Sequence, residues 1–85
     1  MRLFLTKSAH KTLKKLYETN NVDAKILKEA IDGIKDNPYD SKKMKGKFKD
    51  FNRVKRGDYR IIFHIDKKEK IISVVEIGKR SKIYK

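Results

Sequence analysis

Arg53, Lys55 and Arg60 lie on either side of Gly57-Asp58, a dipeptide that signals a two-residue turn between apolar-rich runs. A hairpin closed by that turn sets Arg56 opposite Tyr59, Lys55 opposite Arg60, Val54 opposite Ile61 and Arg53 opposite Ile62. Side chains alternate along a strand, so Val54 and Ile61 fall on one side of the sheet and Arg53, Lys55 and Arg60 on the other. Like charges directly opposite weaken a ladder. Held on a stiff surface, they are also donors in place before an anion arrives, which is what a phosphate backbone requires. The competing reading is a solvated edge strand whose charges discourage aggregation. A slip of one residue in register would disperse the cluster.

More cations flank the hairpin. Lys43, Lys45, Lys47 and Lys49 precede it, and Arg56 adjoins its turn. Lys79, Arg80, Lys82, Tyr84 and Lys85 make a basic tail with one ring. An aromatic among cations suits RNA, because a base stacks on the ring while the charges hold phosphates. A tyrosine near a terminus is equally an ordinary packing residue.

Other chemistry is scarce. His10 reads as a surface residue of a helix. His64 shares a strand face with Arg60 and Ile62 and reads as structural, with a spare proton acceptor. Glu76 is an acid inside a strand, suited to pairing with a neighbouring cation. No metal-ligand spacing, Gly-rich phosphate loop or Ser-His-Asp arrangement occurs. Any catalysis must come from Arg, Lys and Tyr, with no metal and no cofactor.

The charge balance points the same way. The 85 residues carry 24 Lys and Arg against 11 Asp and Glu, a net +13. Residues 1–40 hold 8 basic and 6 acidic side chains, and residues 41–85 hold 16 and 5. The first part is therefore scaffold and the second carries the field. Self-repulsion on this scale calls for a partner of opposite sign: nucleic acid first, an acidic protein second, anionic lipid third. There is no cysteine, which excludes disulfides, thiolate metal sites and cysteine nucleophiles. No apolar run is long enough to span a membrane as a helix. The opening Met1 to Leu5 is too short for a signal-peptide core, so a cytoplasmic location is expected.

The elements that must position these groups follow from periodicity. Arg2 to Leu5 reads as a short strand. Thr6 or Ser8 caps a helix whose apolar stripe is Ala9, Leu13, Leu16 and Tyr17. Asp23 caps a second helix with Leu27, Ala30, Ile31 and Ile34 on its stripe, and Val22 and Leu27 stand at staple spacing. Asn37-Pro38 stops it. Residues 39–47 read as a polar loop. Strands follow from about Phe48. In one, Tyr59, Ile61, Phe63 and Ile65 share a face. The near-continuous apolar run Ile71 to Ile77 lies inside the sheet and ends at Gly78. The order β-α-α-β-β-β predicts one α+β domain over 1–85: an N-terminal strand and a helical hairpin packed on an antiparallel sheet of about four strands.

Met44-Lys45-Gly46, the run Asn52-Arg53-Val54-Lys55-Arg56-Gly57-Asp58-Tyr59-Arg60-Ile61-Ile62-Phe63, then Val74-Val75-Glu76-Ile77-Gly78-Lys79-Arg80 and Ile83-Tyr84 resemble the RelE/ParE toxin superfamily, most nearly its RelE-like branch. The resemblance covers nearly the whole chain. It implies the toxin of a type II toxin–antitoxin system: a ribosome-dependent, metal-independent endoribonuclease, or mRNA interferase, that arrests translation. In that chemistry the 2′-hydroxyl attacks the adjacent phosphate. Carried over by position, Arg53 and Lys55 match the paired basic residues before the turn, and Arg60 would hold the scissile phosphate. Arg80 would stabilise or protonate the leaving group, and Tyr84 would stack on a base or help activate the 2′-hydroxyl. The implied partners are the ribosomal A site with its rRNA and mRNA, and an acidic RelB-like antitoxin. The toxin is expected to be monomeric when free and hetero-oligomeric with the antitoxin.

Two other functions fit the same residues. A ParE-like protein would inhibit DNA gyrase by protein contact without nuclease activity. A non-enzymatic basic module would bind nucleic acid with steep salt dependence and leave it intact.

Overall fold

The computed structural model describes residues 2–39, 42–43 and 51–79, with Lys42 and Lys43 described by backbone alone. Its order is β1 (Arg2–Leu5), α1 (Lys7–Thr19), α2 (Asn21–Asp36), β2 (Lys42–Lys43), β3 (Phe51–Arg56), β4 (Tyr59–Asp66) and β5 (Ile71–Lys79). The strands form one sheet in the order β1-β5-β4-β3-β2. The α+β class is as expected. The sheet is mixed, however: β1 pairs parallel with β5, while the other neighbours are antiparallel. The helical hairpin carries the chain away from β1 before the meander begins, and β5 returns alongside it.

Of the two candidate caps for α1, Thr6 is the one used. Its side chain accepts from the Ala9 N–H at 3.3 Å, and its hydroxyl donates to the Val75 carbonyl at 3.3 Å. Its N–H donates to the Val74 carbonyl at 2.9 Å. The start of the helix is thus tied to β5, where the register shifts opposite Ile62 and Phe63 and leaves Val75 as the extra, bulged residue.

The second cap differs from expectation. Asn20, not Asp23, caps α2, accepting from the Asp23 N–H at 3.2 Å and donating to the Asp23 carboxylate at 2.9 Å. Asn20 also closes α1, its N–H bonding the Leu16 carbonyl at 2.7 Å. One residue therefore joins the two helices, and Asp23 falls in the first turn, where a negative charge suits the helix dipole. With the cap at Asn20, Val22 lies inside the helix, 66% exposed, and makes no staple.

The apolar stripes pack as the periodicity requires. Ala9 and Leu13 of α1 and Ala24, Leu27, Ala30, Ile31 and Ile34 of α2 close over Ile61, Phe63, Ile72, Val74 and Ile77. Tyr59, Ile65, Val54, Leu3, Leu5 and Leu16 pack at the margin of this core, while Tyr17 lies exposed. Three strand boundaries need correction. Lys42 and Lys43, read as loop, form a two-residue edge strand beside Arg53 and Asn52. The last strand runs through Gly78 to Lys79, because the start of β4 needs them as ladder partners. Asp66, an acid whose sequence context suggests a turn, is also within a strand, its carboxylate accepting the Glu69 N–H at 3.0 Å. Among the described residues, no helix is long and apolar enough to cross a membrane.

Candidate nucleic-acid interface

The β3–β4 register is the one the turn predicts: Arg53 with Ile62, Val54 with Ile61, Lys55 with Arg60 and Arg56 with Tyr59. Gly57 takes φ 58° and Asp58 does not share the positive sign. Glycine first, with only that residue left-handed, is the II′ pattern whose twist matches a hairpin. A side chain at Gly57 would be strained.

This register separates the sheet into two faces. Val54, Ile61, Phe63, Ile72, Val74 and Ile77 face the helices. Arg53, Lys55, Arg60 and Ile62 share the opposite face, on which no described helix packs. Arg60 is only 4% exposed, Arg53 is half-buried and Lys55 is exposed. The Nε atoms of Arg53 and Arg60 are both shielded from solvent. Ile62, also buried, forms the apolar floor between the two arginines. Gly78 stands opposite Arg60 on β5 and puts no side chain beside it, and Glu76 stands opposite Ile62. The result is a cationic centre on the second strand of the hairpin with the Glu76 carboxylate at its flank.

The remaining sequence-predicted residues fall elsewhere. Arg56 is in register with Tyr59, and its Nη1 donates to the Lys55 carbonyl at 2.7 Å. Lys79 is exposed at the end of β5, also in register with Tyr59, beside α1 rather than in the cluster. The Lys43 backbone is in register with Asn52. Lys45, Lys47, Lys49, Arg80, Lys82 and Tyr84 lie outside the described residues. His10 is exposed on α1, as expected.

Tyr59 neighbours Arg60 in sequence but turns to the helix side. Burial pushes its phenol above the usual 10.0, and a hydrogen bond to the Asp23 carboxylate, the Asp23 charge and the Asp58 charge push it further the same way. The phenol therefore remains a neutral donor and is not a base.

Side chains not singled out by sequence also occupy the open face. Phe51 is in register with His64, and their rings meet edge to face with centroids 5.8 Å apart. His64 is in register with Ser73, and Ser73 with Phe4. Extending the alternation of Arg53 and Lys55 back to Phe51 would have found the first of these pairs. Phe4 could be placed only once β1 was known to join β5.

A helical hairpin packed on one face of a small mixed sheet is the RelE-like fold. Residues 3–84 match the family model of the ParE toxin of type II toxin–antitoxin systems, and the chain belongs to that family within the RelE/ParE superfamily. No curated protein sequence matches it. Among solved structures, it is similar to the archaeal RelE–RelB complex from Pyrococcus horikoshii, with TM-score 0.73 and 25% identity over 95% of this chain and 96% of that one. The isolated RelE toxin of E. coli gives 0.79 and 23%, over 98% and 89%. A YoeB/ParE toxin from Agrobacterium tumefaciens gives 0.81 and 14%, over 94% and 99%.

Proposed function

We propose that this type II toxin acts in the cytoplasm as a metal-independent endoribonuclease, cutting mRNA in the ribosomal A site. The observation that carries the reading is the nearly buried Arg60 on the open face, with Lys55 directly opposite and Arg53 on the same face. A phosphate in transit between two ester bonds gathers negative charge on its oxygens, and donors already fixed there stabilise it without reorganising.

The step balances as a transesterification. The 2′-oxygen bonds to phosphorus while the bond from phosphorus to the next nucleotide's 5′-oxygen breaks. One proton leaves the 2′-hydroxyl for a base and one reaches the 5′-oxygen, giving a 2′,3′-cyclic phosphate and a 5′-hydroxyl end. Arg60 holds the scissile phosphate, and Arg53 and Lys55 share its charge. Following the superfamily pattern, Arg80 serves the leaving oxygen and Tyr84 the base or the 2′-hydroxyl. Lys43, Lys45, Lys47, Lys49, Arg56, Lys79 and Lys82 supply long-range attraction to rRNA and message.

The partner in the absence of ribosomes is an acidic RelB-like antitoxin. The archaeal relative is a complex of this kind. A cleft of about 570 Å³ between α1 and the end of β5 has Leu16 and Ile77 on its walls and Lys15, Lys79 and Glu76 among its lining, which suits an amphipathic segment.

The family description favours a second reading, a ParE-like toxin that inhibits gyrase without cleaving RNA. One experiment separates the two. Purified protein is added to a defined translation mixture and mRNA ends are mapped by primer extension, with Arg60→Ala, Arg80→Ala and Tyr84→Ala alongside. Codon-phased cuts are expected, falling about 10²–10³-fold when Arg60 is lost. Intact message together with blocked supercoiling by gyrase would overturn the nuclease in favour of the second reading. Intact message with mere gel retardation, lost as salt rises, would leave a binding module.

A further inference from the structure

The open face carries a second row of side chains that the cationic cluster does not use. Register places Phe51, His64, Ser73 and Phe4 across β3, β4, β5 and β1 in one line. Phe51 and His64 meet with centroids 5.8 Å apart and planes at 63°, and both are only partly buried. At the other end Phe4 is 47% exposed, with the Arg2 guanidinium 5.3 Å from its ring centre. Folding does not account for this ring: Leu3 and Leu5 of the same strand meet the core on the other side. Phe4 shares its face with the Phe51–His64 pair, so the exposed ring is part of a row rather than an isolated surface residue. The small Ser73 leaves the middle of the row low.

The row stands at a usable distance from the cluster. His64 is four residues along β4 from Arg60, about 13 Å at strand rise. Arg53 lies between the two rows on β3, one alternation from Phe51. Asp66, the acid on the far side of the row, already accepts the Glu69 N–H.

We propose that the Phe51–His64 pair and Phe4 form a base-stacking subsite for a single-stranded RNA segment flanking the scissile phosphate. This rests on the RNA-cleaving reading above. Each base has a π-face and stacks on aromatic rings irrespective of sequence, while neighbouring cations hold the backbone. With a phosphate at Arg60 whose charge Arg53 and Lys55 share, the next bases reach the rings. Arg2, at the Phe4 end, holds the strand where it leaves the sheet. An acidic peptide would use the same cations but has no need of a row of accessible rings.

The test uses full-length protein and a short RNA blocked by a 2′-deoxy sugar at the cleavage position, with a fluorescent adenine analogue placed in the flank. Wild-type binding is expected to quench the analogue. Phe4→Ala and His64→Ala should each weaken binding about tenfold and restore the fluorescence, with the salt dependence unchanged. Phe51→Leu, which keeps apolar volume at a half-buried site, should lose quenching without altering the thermal melt. Arg53→Ala should do the converse, keeping the quench and lowering the salt slope by about 0.7. Quenching and affinity equal to wild type in all three ring variants would overturn the subsite. Ring-dependent stacking in a protein that cleaves nothing on ribosomes would retain the subsite and remove the nuclease. Cleavage with ring-independent binding would do the reverse.

Discussion

The two faces of one hairpin are built on opposite terms. Toward the helices, β4 presents Ile61 and Phe63, both fully buried in a core that also takes Leu27, Ile72, Val74 and Ile77. Away from them, the same strand presents Arg60, Ile62 and His64 to a side that no described helix covers. The first face lowers the free energy of the fold by removing apolar area from water. On the second, Lys55 and Arg60 stand directly opposite with like charge, a pairing that by itself weakens the ladder. A chain this small has little stability to spare. Like charges held opposite one another across the hairpin therefore read as a device for binding rather than folding.

That contrast is broken most severely from the apolar side. Phe63→Ala empties the largest fully buried side chain of the core. It should cost about 3–5 kcal/mol, a large fraction of what an 85-residue domain possesses. Urea titration followed by circular dichroism should find the variant mostly unfolded at physiological temperature. A loss under about 1 kcal/mol would mean that the helices do not hold this ring as described. On the other face the expectation reverses. Arg60→Met keeps an unbranched chain of similar length and removes the charge, so stability should stay within about 1.5 kcal/mol of wild type. Message cleavage should still fall about 10²–10³-fold. A variant that unfolds while the residual folded fraction cleaves at full rate would place Arg60 with the scaffold.

The same division governs what could be read without coordinates. The hairpin register was legible because Gly57-Asp58 and strict alternation around it are local signals, and both faces follow from them. The apolar stripes of α1 and α2 were legible for the same reason. What was not legible depends on segments distant in sequence. The parallel pairing of β1 with β5 joins residues about seventy positions apart, and with it the placement of Phe4 beside Ser73. The bulge at Val75 hides inside a nearly continuous apolar run, where periodicity has nothing to alternate. The choice of Asn20 over Asp23 as the cap turns on a single-residue junction between helices, since either side chain is a good cap in isolation. Of the candidate site, Arg53, Lys55 and Arg60 converge as expected, whereas Arg56 and Lys79 fall on the helix-facing register because each pairs with Tyr59.

Tyr59 sits at the boundary between the two faces and gives the smallest and most specific test of how they are joined. Its backbone precedes Arg60, and its phenol lies on the helix side within reach of the Asp23 carboxylate that helps raise it, Asp23 being itself bonded to the Asn20 cap. Removing the hydroxyl in Tyr59→Phe should cost about 1 kcal/mol at neutral pH. The alkaline limb carries the sign. The folded-state phenol titrates above 10.0, raised first by burial and then by Asp23 and Asp58, so below that value both folded and unfolded chains hold the proton and no dependence arises. As pH rises past 10.0 the unfolded chain releases its proton more readily, and the folded state loses stability. Urea midpoints for wild type and Tyr59→Phe should therefore differ by a constant amount up to about pH 9 and converge at higher pH. Lysine titration affects both proteins alike and cancels in the difference. A gap that stays constant through the alkaline range would show that the phenol is not held by Asp23, and that the turn carrying Arg60 is anchored to the helices by packing alone.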